Sequence, residues 1–147
     1  MSKIMETAKM TEQKIHDLLD GKFDLPKASM YSVKVGKSNE VQVVKRADNR
    51  DVYDLLSDEY SLSVAKDSEY IAVLTCGWAA PVTSDDDDNE MPPSQHPQRR
   101  RVRLVIVANP KGVASILRFS DDRDNIVTDE GNARGSLADA VQEMFTR

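Results

Sequence analysis

The sequence predicts an α+β fold: an antiparallel three-stranded meander, with a small hairpin beside it, packed with three helices. Three observations carry this. Tyr70–Cys76, 101–108 and 113–119 are runs rich in Ile, Val and Leu, bounded by turn residues. Residues 3–20, 49–66 and 137–145 carry apolar side chains at helical spacing. The connections between most of these segments are short, which favours an antiparallel sheet with its helices on one face.

The first helix is read from Ile4, Met5, Ala8, Ile15, Leu18 and Leu19, with Gly21 as its stop. Its stripe weakens between Lys9 and Lys14, so the first turns are expected to fray. Val33, Val35, Val41 and Val43 alternate on either side of Gly36-Lys-Ser-Asn39 and predict a hairpin over 30–44. The Gly-Lys-Ser tripeptide lacks the first glycine of a phosphate loop, and no helix follows it. Asp48 or Asn49 is the expected cap of the second helix, whose stripe is Val52, Leu55, Leu56 and Tyr60. Asn109-Pro-Lys-Gly112 has turn chemistry between the second and third meander strands. Residues 120–135 read as a polar loop anchored by Ile126 and Val127. Ser136 caps the last helix, with Asp139 as the acidic half of a capping box.

Length and composition bound the function. The chain has 147 residues, which predicts one domain. Its net charge is −5 and its aromatic content 5%, which oppose a general nucleic-acid or anionic-membrane role and a stacking platform for single strands. A single cysteine, Cys76, permits no internal disulfide and fits a reducing, cytoplasmic compartment. No apolar run reaches the roughly 18 residues that span a bilayer.

Charge is segregated within one block. Asp85-Asp-Asp-Asp88 and Glu90 stand in a polar, Pro-containing loop over 82–98, expected to be long and mobile. Arg99, Arg100, Arg101 and Arg103 follow directly. A symmetric turn at 109–112 sets Val102 opposite Phe119, Leu104 opposite Leu117 and Ile106 opposite Ser115 on one face. Arg103 then faces Arg118 on the other, and like charges directly opposite repel. Two readings follow. Asp85–Asp88, Asp121, Asp122 or Glu130 neutralise the cluster internally, or it is an anion site for phosphate, nucleotide, nucleic acid or an acidic protein surface.

Other candidates carry less. Asp85, Asp87 and Asn89 match the first ligand positions of a calcium loop, but Glu90 and His96 stand at its sixth and twelfth positions in place of glycine and glutamate. His16, Cys76 and His96 are too scattered to predict a zinc site. No metal or cofactor is therefore expected. Cys76 with His96 is the one conceivable nucleophile–base pair, and Cys76 alternating with Leu74 and Ala72 reads better as a small core residue. Trp78 either closes the core or contacts a ligand.

Thr75-Cys-Gly-Trp-Ala-Ala-Pro81, 93–104, Val113-Ala-Ser-Ile-Leu-Arg-Phe119 and Gly135-Ser-Leu-Ala-Asp-Ala140 together resemble small uncharacterised proteins of bacteriophages and their bacterial hosts. The resemblance covers residues 70–142. It implies a phage accessory protein, such as an inhibitor or modulator of a host system, and carries no activity with it. The function expected is a small soluble accessory protein that binds a host protein or anionic ligand through the region from Trp78 to Arg103. The candidate binding residues are Trp78, His96, Arg99, Arg100, Arg101, Arg103 and Arg118. The alternatives are a nucleic-acid-binding protein using Arg99–Arg103 and Arg118, and an enzyme of unknown class.

Overall fold

A computed structural model describes residues 3–23, 25–38, 40–79, 100–130 and 136–146. The chain runs α1 (Lys3–Leu19), β1 (Ala28–Val35), β2 (Val41–Asn49), α2 (Val52–Ser57), α3 (Glu59–Asp67), β3 (Tyr70–Ala79), β4 (Arg100–Asn109), β5 (Gly112–Phe119), β6 (Asp122–Glu130) and α4 (Ser136–Glu143). All six strands form one sheet in the order β2-β1-β3-β4-β5-β6, and every neighbouring pair is antiparallel. Among the described residues, no helix is long and apolar enough to cross a membrane.

The antiparallel α+β character matches the sequence, but the three-stranded meander with three helices does not. The sheet has twice that many strands, for two reasons. The hairpin joins the meander, because Ser29–Val33 pair with Tyr70–Leu74. The segment expected to be a polar loop forms β6, paired with Ala114–Phe119. Asp122-Arg-Asp-Asn at its start lacks an apolar face because β6 is an edge strand, where charge protects unpaired backbone.

The second helix is two helices. Asp58 has extended backbone, φ −67° and ψ 137°, which ends α2. Its carboxylate accepts from the backbone N–H groups of Tyr60 and Ser61 and so starts α3. Asp51, rather than Asp48 or Asn49, caps α2, accepting from Tyr53 at 2.8 Å and Asp54 at 3.1 Å. Asn49 instead accepts from the Asp51 N–H at 3.0 Å.

The register of β4 and β5 is the one the symmetric turn predicts. Val102 pairs with Phe119, Arg103 with Arg118, Leu104 with Leu117 and Ala108 with Val113. The Asn109 side chain sets the turn by accepting from the N–H groups of Lys111 and Gly112.

Helices cover both faces of the sheet, not one. Under α2, α3 and α4, Leu55, Leu56, Val141 and Met144 pack on Met30, Ile71, Val73 and Ile106. Under α1, Met5, Ala8 and Ile15 pack with Tyr31, Leu74, Val105 and Ile116. The physical reason lies in the central strands. Tyr70-Ile-Ala-Val-Leu74 and Val105-Ile-Val-Ala108 are buried at every position, and a strand that is apolar on both sides needs a layer on each. Each fully covered Ile or Leu contributes about 1.5–3 kcal/mol of transfer free energy. The position of α1 decides the fate of the arginines, because its face of the sheet is theirs.

Candidate functional site

Helical geometry puts Glu12 and His16, four residues apart, on one face of α1. That face lies over the paired arginines of β4 and β5. Arg103 and Glu12 are buried outright, and Arg118 is only 5% exposed. Arg118 grips Glu12 with two parallel bonds, Nε to Oε2 at 2.8 Å and Nη2 to Oε1 at 2.5 Å. Its Nη2 also donates to Gln13 Oε1 at 3.2 Å, and its Nη1 to the Arg123 carbonyl. Arg103 reaches the same carboxylate more distantly, Nη2 to Oε2 at 4.0 Å. It donates from Nη1 to the Lys22 carbonyl at 2.7 Å and from Nη2 to His16 Nδ1. Its Nε has no hydrogen-bond partner among the described residues. Among the described residues, the repulsion between Arg103 and Arg118 is thus relieved by Glu12, a group the sequence reading did not name; Asp85–Asp88 lie outside them. Among the described ones, Asp121 is engaged elsewhere, with Arg100 at 2.6 Å.

The second component is the turn after α1. Asp20 and Gly21 take positive φ, 49° and 80°, and bend the chain so that Phe23 returns over the sheet. The Phe23 ring lies 4.3 Å beneath the Arg103 guanidinium and 5.1 Å from that of Arg123. The Phe23 carbonyl accepts from Arg101 Nε at 2.9 Å. Glycine is favoured at 21 because a Cβ would strain the left-handed backbone there; the Arg123 Nη1 that it would meet at 2.5 Å is the tip of a flexible side chain. Arg101, Arg103 and Arg123 therefore converge on the segment from Lys22 to Phe23, Arg118 lies beside them, and among the described residues Glu12 is the carboxylate buried with them.

The titration of these groups follows. Hydrogen bonding to Glu12 pushes Arg118 up from its ordinary value. Burial pulls Arg103 down, and Glu12 opposes that pull. His16 is held below its ordinary 6.5, first by burial and then by the nearby Arg118 and Arg103 charges. Its ring is thus neutral at pH 7, with Nδ1 free to accept from Arg103.

The sequence-predicted residues are divided between core and surface. Arg103 and Arg118 are structural and buried. Arg100 is on the opposite face, 3.9 Å over the Phe119 ring, with both Asp121 oxygens bonded. Trp78 stands across the strands from Arg101, its ring 5.0 Å from that guanidinium, and is 38% exposed. It therefore lines the surface instead of closing the core. Cys76 is half-buried across from Arg103. His96, Arg99, Asp85–Asp88 and the rest of the 82–98 loop lie outside the described residues.

Glu12, His16, Phe23 and Arg123 are the members that sequence reasoning missed. The signal was present for the first two. The stretch from Lys9 to Lys14, where the apolar stripe weakens, does not fray. It holds Thr11 and Glu12, both buried polar residues, and Glu12 is tolerated there because arginines lie beneath it.

Comparison with protein-family models, curated proteins and solved structures returns no match. Among the described residues, no three His, Cys, Asp or Glu side chains come together as a metal site. Among the described residues, the cluster sets buried guanidiniums, Arg103 and Arg118, behind a rim of Lys22, Trp78, Arg101 and Arg123.

Proposed function

We propose that this chain is a small non-enzymatic accessory protein, of the kind the phage resemblance implies. It binds an anionic ligand, in the simplest case the acidic surface of a host protein. The contact runs through the corner formed by Lys22, Trp78, Arg101 and Arg123. One observation carries this reading: three guanidiniums, those of Arg101, Arg103 and Arg123, meet around Phe23, and a fourth, that of Arg118, is held beside Arg103 on Glu12. The guanidiniums are held in place by the core, so an incoming anion need not order them, and Trp78 supplies an aromatic anchor at the edge.

The nucleic-acid reading stands second. Burial of Arg103 and Arg118 leaves Arg100 and Arg101 as the described members of that patch with surface exposure.

Trp78 is the only tryptophan, so its fluorescence reports on the corner directly. Titration with inorganic tripolyphosphate at low ionic strength should shift that emission. The midpoint should weaken on the order of tenfold when salt is raised past the screening range, and again in an Arg101→Gln, Arg123→Gln variant of unchanged melting temperature. No response at low salt, or an equal response in the variant, would overturn the assignment.

A further inference from the structure

Among the described residues, the sheet has two open edges, and they differ in chemistry. β6 carries Asp122, Arg123, Asp124 and Asp129 along its length, which resists pairing with another strand. β2 opens with Val41-Gln-Val-Val44, four residues without charge, and Val44 is 56% exposed. The Gly36 N–H donates to the Glu40 carbonyl. Hydrogen-bonded and non-hydrogen-bonded pairs alternate from there, so Val41 opposite Val35 and Val43 opposite Val33 are non-hydrogen-bonded. The N–H and C=O groups of Val41 and Val43 therefore point away from β1, out of the edge. Beyond them the register shifts opposite Arg46, and the bulge ends the straight stretch.

Both faces of this stretch border grooves. One, of about 410 Å³, sets Lys34 and Arg46 on the sheet against Asp67 and Glu69. The other, of about 550 Å³, sets Lys9 and Lys14 against Asp17 and Glu40 beside Val41. Each is lined by two cations and two carboxylates. A surface whose cations and carboxylates cancel gives no net attraction to a partner of strong single sign, and it offers both signs for a copy of itself to match, as a two-fold interface requires.

We propose that β2 pairs antiparallel with β2 of a second copy, extending the sheet across a two-fold axis. The outward groups set the register: Val41 lies opposite Val43 of the second copy, and Gln42 faces its own counterpart at the axis. Val41 and Val43 supply the backbone bonds, Gln42 and Val44 add no charge beside them, and the neutral grooves on both faces meet their equivalents. The bulge prevents the pairing from slipping further.

Sedimentation velocity on the full chain tests this, from micromolar to about millimolar concentration. A concentration-dependent dimer is expected. Val43→Pro should be monomeric with an unchanged circular dichroism spectrum, because the proline removes an outward N–H and no bond to β1. Gln42→Glu, which sets two carboxylates against each other at the axis, should weaken the dimer on the order of tenfold. That variant changes one exposed side chain and decides the matter if Val43→Pro does not fold. Val127→Lys on β6 should change nothing. A monomer at every concentration overturns the proposal, as does a dimer that survives both β2 substitutions or is lost with Val127→Lys.

Discussion

Taking Glu12, Arg103 and Arg118 out of water costs several kcal/mol per ion, which only close pairing returns. The bidentate grip of Arg118 on Glu12 does this, and the His16, Lys22 and Phe23 contacts serve Arg103. Removing the shared carboxylate would leave two buried cations opposite each other. Glu12→Gln is therefore expected to cost about 3–5 kcal/mol, read as a fall in the urea midpoint at constant slope. His16 gives a second prediction. Its folded value lies below the unfolded one, so the unfolded chain binds its proton first. Stability is full above about 6.5 and is lost as pH falls from there toward the folded value. Melting temperatures between pH 7.5 and 5 should decline more steeply for the natural chain than for His16→Gln. Equal slopes would mean that His16 does not sense the arginines.

Among the elements, those with strong periodicity were legible and those at the margins were not. The turn chemistry of Asn109–Gly112 and the period-2 pattern of its flanks were enough to align β4 on β5 residue by residue. β6 was illegible because an edge strand exposed on both faces, but for the half-buried Ile126, has little apolar pattern to show, and its partner, β5, is what makes it a strand. The division of residues 49–66 into α2 and α3 was written in Asp58, a capping residue in mid-pattern, but three nearby serines had already blurred the helix. Of the candidate site, the Arg103–Arg118 opposition was visible in local sequence. The relieving groups, Glu12 and Phe23, come from about 80 to 106 residues away along the chain, and no local pattern reports a contact of that range.

For the molecule as a whole, the consequence of two covered faces is two separate apolar layers sharing one sheet. Ile15 belongs to the α1 layer and Ile106 to the layer under α2, α3 and α4. Ile15→Val and Ile106→Val should each cost about 0.5–1.5 kcal/mol. With the sheet between them, the double variant should equal their sum within about 0.5 kcal/mol in chemical denaturation. A larger deviation would show that the layers are coupled through the strands. Periodicity and turn residues, read along the chain, were sufficient for the antiparallel α+β class, the main strands and the β4–β5 register, because these depend on neighbours a few residues apart. Which face α1 covers, and hence that Arg103 and Arg118 are buried on Glu12 while Trp78 and Arg123 remain at the surface, depends on how distant segments share space. That was decided by the need to cover strands apolar on both sides, a demand that arises only once the sheet is assembled.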